Sequence, residues 1–176
     1  IGEIPFDICT NKLNLRKEYI KVIPNGKLCN DLLTFYEEDG IILEPAGVLS
    51  TSTLNFLNRD EIEGKNIVCI LSGGNNDVTR YQEIIEKNLI YLGLKHYFII
   101  EFTQKPRQLK RFIRDILGKN DDITRFEYIK KTEKSFGNVL VGLQTDNVKE
   151  IEYKLTINNF KYKKIKEDDL IYSYLV

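Results

Sequence analysis

HYFIIEFTQKPRQLKRFIRDIL (96–117) carries two periodicities back to back. Residues 96–102 are aromatic and β-branched around a single charge, Glu101, which predicts a strand. From Pro106 the spacing becomes helical, with Leu109, Phe112, Ile113 and Ile116 on one side. Downstream, DITRFEYIKK (122–131) sets Ile123 and Arg125 against Thr124, Phe126 and Tyr128, the alternation of a half-exposed strand. GNVLVGLQT (137–145) reads as the next strand, VKEIEYKLTINNF (148–160) as a helix, and KYKKIK (161–166) as a Lys-rich edge strand. The order βαββαβ predicts an antiparallel α+β, ferredoxin-like sandwich of about 80 residues, a complete unit.

Upstream of Gly93 the pattern differs. Residues 27–38 place Leu28, Leu32, Phe35 and Tyr36 on one helical face, and Gly40 follows as a stop. IILE (41–44) and NIVCIL (66–71) read as short buried strands, with a helix after Pro45 between them. NNDVTRYQEIIEKNLIYL (75–92) reads as a helix with Val78, Tyr81, Ile85, Leu89 and Leu92 inward, capped by Asn76 or Asp77 and closed by Gly93. Apolar strands alternating with helices signify a parallel α/β sheet covered on both faces. Two strands cannot complete such a sheet. Residues 1–92 are therefore expected to be the C-terminal part of a larger α/β domain, and residues 93–176 a second domain.

Composition narrows the function. Lys plus Arg and Asp plus Glu both number 26, so net charge offers no electrostatic case for nucleic acid. Apolar runs are too short to span a membrane, and no signal peptide is expected. Cys9, Cys29 and Cys69 show no CxxC spacing, so reduced thiols are expected and no metal site. His96 has no neighbouring ligand pattern and reads as a structural or surface residue. The chain begins at Ile1 and contains no Met, which reads as a piece of something longer.

CILSGGNND (69–77) puts a serine and two glycines at the carboxyl end of an apolar segment, where α/β sheets bind ligands. Gly73 and Gly74 permit close backbone approach. It is neither GxGxxG, a Walker loop nor GxSxG. From spacing alone Ser72 reads first as a helix cap in an ordinary strand-to-helix turn. Glu44 in EPAG (44–47) occupies the equivalent place after the preceding segment, either facing the same crevice or serving as a helix-start acid.

Together, EPAGVLS (44–50), ILSGGNNDVTRY (70–81), GLKHYFIIEFTQKPRQLKRF (93–112) and NDDITRFEYIKK (120–131) resemble biosynthetic threonine dehydratase (threonine ammonia-lyase) in its short form, across essentially the whole chain. The resemblance implies the C-terminal part of a pyridoxal-phosphate domain of fold-type II, tryptophan-synthase-β-like, followed by an ACT-like regulatory domain. It implies that Ser72 hydrogen-bonds the pyridine nitrogen of pyridoxal phosphate, that Gly73 lies against the ring and that Glu44 borders the site. The implied reaction removes water and then ammonia from L-threonine to give 2-oxobutanoate, towards isoleucine. The Schiff-base lysine and the glycine-rich phosphate loop of that family have no match here and are expected upstream, so this chain alone is expected to be inactive.

The resemblance further implies isoleucine or valine as effectors, bound at the turn from Thr103 to Leu109. Relatives commonly carry Pro-Gly-Ala-Leu there. This chain has Pro106, Arg107, Gln108 and Leu109. Losing the glycine closes one backbone approach, whereas Arg107 itself can bind a carboxylate or stand as a solvated helix-start residue. A cytoplasmic homo-oligomer is expected. The alternative is a non-catalytic ACT-type amino-acid sensor with a remnant of the lyase.

Overall fold

The computed structural model describes residues 7–16, 20–75, 77–128 and 135–176. The chain divides into two compact units between Ile84 and Ile85.

In the first unit, α1 (Asn25–Asp39) forms where the apolar spacing requires it and stops at Gly40. Leu28 and Leu32 enter the core as expected. Cys29 and Leu33 join them, whereas Phe35 is half-buried and Tyr36 stands exposed, edge-on to Tyr81 with ring centroids 6.0 Å apart. Residues 41–44 and 66–71 are not strands among the described residues. Each is apolar enough for one, but neither finds a ladder of neighbouring backbone groups. Only Leu43 and Leu71 turn toward the core, and Ile42, Ile67, Val68 and Ile70 remain exposed, Val68 at 86%.

The helix expected after Pro45 shortens to α2 (Leu49–Ser52), which tightens into a 3₁₀ turn, Thr53–Phe56. The Thr51 and Thr53 hydroxyls donate back to the Val48 and Leu49 carbonyls at 2.9 and 2.7 Å. Such local bonds compete with helix extension. A short α3 (Arg59–Ile62) follows, unanticipated in the sequence. Buried Ser52 donates to Asp31 Oδ2 at 2.6 Å, and Lys27 Nζ lies 2.5 Å from Asp31 Oδ1, so α1 and α2 share a satisfied polar contact inside an apolar core.

α4 (Tyr81–Tyr91) is preceded by a 3₁₀ turn, Val78–Arg80. The helix nevertheless packs on a narrower face than the spacing suggested. Ile84 is the buried residue, while Ile85 and Leu92, expected inward, are exposed. The cap candidate Asn76 and the Val78 side chain lie outside the described residues.

The second unit realises the βαββαβ order. β1 (Lys95–Thr103), α5 (Gln108–Ile116), β2 (Asp122–Tyr128), β3 (Phe136–Gln144), α6 (Val148–Ile157) and β4 (Lys161–Lys164) build an antiparallel sheet in the order β2-β3-β1-β4. The expected end of β2, 129–131, lies outside the described residues. Phe98, Ile100 and Phe102 of β1 face inward beside Val139, Val141 and Leu143 of β3. They meet Phe112 and Ile116 of α5 and Ile151 and Leu155 of α6. Leu109 and Ile113, expected on the buried side of α5, are exposed, so the helix seats only one ridge. A register shift between Ile123 and Arg125 breaks the alternation read from the sequence. A bulge places one extra residue, so Ile123 and Phe126 both reach the core. Asn147 caps α6, its side chain accepting the Glu150 N–H at 3.2 Å.

On the other face, Glu86 of α4 accepts the Tyr97 hydroxyl and pairs with Lys95. Burial, reinforced by that carboxylate, holds the Tyr97 hydroxyl well above its ordinary pKa and therefore neutral. His96 is structural in setting: its Nε2 lies 2.9 Å from the Gly93 carbonyl, and burial lowers its pKa.

Phe102 is the hub of the second core, with ring centroids 5.4 Å from Phe112, 5.7 Å from Phe160 and 6.0 Å from Phe126. Phe102→Ala is expected to destabilise residues 85–176 by about 3–5 kcal/mol, read by denaturant unfolding. Tyr36→Ala, at an exposed ring, is expected to cost far less.

Candidate functional site

The serine loop and the EPAG turn meet within the first unit. Glu44 N–H donates to the Gly73 carbonyl at 2.8 Å, and Gly47 N–H returns to the Glu44 carbonyl at 2.9 Å. Ser50 Oγ donates to the Ile70 carbonyl at 2.7 Å, and Cys69 Sγ lies 3.7 Å from the Ser50 carbonyl. These bonds run residues 69–73 alongside 44–50 without making a ladder. Gly73 has φ +76°, and a Cβ there would stand 2.2 Å from a carboxylate oxygen of Glu44. The backbone conformation therefore calls for glycine, whereas the Glu44 side chain can swing aside. The Ser72 residue is exposed, and among the described residues its hydroxyl has no hydrogen-bond partner. An N-capping role for Ser72 is not realised. Asp77 serves nearer the helix, its Oδ1 accepting the Thr79 N–H at 2.9 Å, which lowers its pKa.

The three residues expected at the crevice, Glu44, Ser72 and Gly73, thus lie together. Sequence reasoning missed Gly47 and Ser50, which hold the serine loop. The signal was the short distance between EPAG and the next Ser, but nothing in the sequence shows which backbone they face.

In the second unit, the turn after β1 borders a cavity of about 110 Å³. About 10–15 Å³ of such space holds one water, so the cavity has room for a small molecule. Gln108 lines it, together with Glu101, Thr103, Arg111, Asn159 and Lys161, and with the rings of Phe136 and Phe160. Arg107 and Leu109, expected here, are exposed and are not part of the lining. Arg111 Nη2 donates to the Asn158 carbonyl at 2.8 Å, and its guanidinium sits 5.1 Å from the Phe160 ring centroid. Lys161 Nζ lies 3.5 Å from Glu101 Oε1. Thr103 Oγ1 is buried without a hydrogen-bond partner among the described residues. A buried hydroxyl left unmatched is costly. Acid, base and a free hydroxyl around one small space are what a zwitterion requires. Arg111, Asn159 and Lys161 escaped the sequence reading because they come from about 50 residues further along or from the next helical turn.

Residues 86–175 match the family described as the C-terminal regulatory domain of threonine dehydratase. The chain belongs to that family. Among curated relatives, a biosynthetic L-threonine dehydratase of Halalkalibacterium halodurans is 46% identical over the whole chain, and one of Staphylococcus aureus is 41% identical over the same length. The counterpart of Bacillus subtilis is 43% identical over 89% of the chain. The chain spans about two fifths of the length of these relatives, 42%, 41% and 38% respectively. The four-stranded antiparallel sheet is the architecture expected of an ACT-like regulatory domain.

Arg107 has φ +71°, a left-handed conformation, at the position where Pro-Gly turns place glycine. For a side chain with a Cβ this costs roughly 1–2 kcal/mol. Arg107→Gly is expected to raise the stability of the regulatory unit by about 1 kcal/mol, measured by denaturant unfolding.

Proposed function

We propose that the chain is the C-terminal part of a pyridoxal-phosphate-dependent L-threonine ammonia-lyase, converting L-threonine to 2-oxobutanoate and ammonia in isoleucine biosynthesis. In this reading residues 1–92 contribute one wall of a fold-type II cofactor domain, and residues 93–176 are the ACT-like unit through which isoleucine feeds back. The observation that carries it is the exposed, unpartnered Ser72 hydroxyl fixed beside Glu44 and Gly73. A cofactor nitrogen would find a donor there and a backbone surface without a side chain in the way, so the residues fit the group. The names of the relatives support the substrate and the reaction.

When bound, pyridoxal phosphate supplies the electron sink for bonds at the substrate Cα. Ser72 would hold the pyridine nitrogen through a neutral hydroxyl, which leaves that nitrogen largely unprotonated. Gly73 would give the ring room. Glu44, tied through its own N–H to Gly73, would keep the loop at a fixed height. The lysine for covalent attachment belongs, in this proposal, to polypeptide outside the 176 residues. The exposed Ile42, Val68 and Ile70 are the side chains such polypeptide would cover. A cytoplasmic, self-associating enzyme completes the reading, as befits relatives named for biosynthesis.

Two experiments test it. With pyridoxal phosphate and L-threonine, the chain alone is expected to form no 2-oxobutanoate, whereas the chain extended to its relatives' length is expected to turn over. Activity in the short chain, or none in the long one, counts against the proposal. Isoleucine or valine at a hundredfold excess over Kd is expected to stabilise the regulatory unit by about 2.7 kcal/mol, seen as a raised melting temperature. Arg111→Ala is expected to abolish that rise. Indifference of the native chain to both amino acids would remove the effector reading.

A further inference from the structure

Gly47 makes the tightest approach of any described glycine. A Cβ built there would stand 1.5 Å from the Ser72 carbonyl oxygen and 2.7 Å from its carbonyl carbon. No side chain fits, and the group that excludes it is the backbone of the very residue whose hydroxyl stands free. Gly47 is itself buried, and its N–H is bound to the Glu44 carbonyl at 2.9 Å, so the turn cannot slide aside without releasing Glu44. Three residues on, the Ser50 hydroxyl grips the Ile70 carbonyl at 2.7 Å. The backbone on both sides of Leu71 is therefore held by the same turn, once by a bare Cα and once by a hydrogen bond.

We propose that this turn, through Gly47 and secondarily Ser50, positions the Ser72 hydroxyl for the cofactor and so tunes the reaction without touching the reacting atoms. The inference rests on the reading of Ser72 as a cofactor ligand and adds residues that reading does not contain. Gly47 is a positioning residue: filling its Cα position pushes the Ser72 carbonyl away and carries the hydroxyl with it. A displacement near 1 Å at a reacting group lowers rate by roughly 100-fold.

The test uses the holoenzyme carrying this sequence at the length of its relatives, with Gly47→Ala, Ser50→Ala, Ser72→Ala and the two double variants that include Ser72→Ala. The readouts are kcat, the cofactor dissociation constant and the absorption band of the bound cofactor. The expected result is that Gly47→Ala lowers kcat by roughly 100-fold. It should also move the absorption band in the direction Ser72→Ala moves it, and add nothing once Ser72 is alanine. Such non-additivity marks residues acting through one group. If Ser72→Ala alone leaves band and rate untouched, the cofactor reading of Ser72 fails and the inference falls with it. If Ser72→Ala acts but the loss from Gly47→Ala multiplies with it, or leaves the band in place, the positioning role is overturned and the Ser72 reading survives. Should Gly47→Ala fail to fold, Ser50→Ala decides by the same criteria. It introduces no clash, and a smaller kcat loss that disappears in the Ser72→Ala background supports the role. An unmoved band or a multiplying loss overturns it.

Discussion

The Ser72 carbonyl rests against a residue with no side chain, and that contact fixes how closely the serine loop can lie on the turn at residues 44–47. Residues 69–73 and 44–50 run side by side, but no ladder joins them. They are held by a backbone bond from Glu44 to Gly73, a hydroxyl bond from Ser50 to Ile70, a weak thiol contact from Cys69 and the Gly47 approach. Each hydrogen bond contributes only about 0.5–1.5 kcal/mol net. The apolar side chains of Val68 and Ile70, which would add far more if covered, stand in solvent. The unit therefore takes its cohesion from α1, whose Leu28, Leu32 and Leu33 meet Val48 and Ile84. The serine loop is attached to that core by specific polar contacts rather than by bulk burial.

The regulatory unit is built on the opposite balance. Its sheet is fully antiparallel, and one aromatic residue, Phe102, packs near rings from α5, from β2 and from Phe160 just before β4. Fully buried Val139, Val141 and Leu143 lock β3 between β1 and β2. The second face of the sheet is secured more sparingly, where Glu86 satisfies both Tyr97 and Lys95. A carboxylate with two donors escapes the cost of an isolated buried charge.

The sequence was legible where periodicity and packing agree. β1, β3, α5 and α6 lie within a few residues of their expected bounds, because each seats apolar residues at regular spacing in one core, though Leu109 and Ile113 of α5 stay outside it. Reading failed where a local irregularity changes the phase. The bulge in β2 turns Phe126 inward beside Ile123, and α4 begins only at Tyr81, after a 3₁₀ turn, and buries Ile84 rather than Ile85. Neither event has a residue signature strong enough to outvote alternation. The strands expected at 41–44 and 66–71 failed for another reason. Apolar composition states that a segment seeks cover, but a strand also needs a partner, and composition cannot supply one. At the serine loop the chemistry-bearing residues were legible by motif, whereas Gly47 and Ser50 were not, since their importance lies in which carbonyl they face.

The effector turn shows the same division at the level of charge. Arg107 was the visible cation, yet it projects from a left-handed position at the mouth of α5 and does not line the cavity. Arg111, one helical turn later, is held by the Asn158 carbonyl and laid on the Phe160 ring, so its guanidinium is oriented before any ligand arrives. Lys161 and Glu101 face each other across the β4–β1 pairing, where opening that 3.5 Å contact would release one charge of each sign. Thr103 adds a hydroxyl with nothing yet to bond. A neutral apolar molecule here would desolvate two cations and an acid with no compensating contact. A molecule carrying both a carboxylate and an ammonium offsets that cost at each end. The lining thus sets charges of both signs and an unmatched hydroxyl beside Phe136 and Phe160, which form its apolar border.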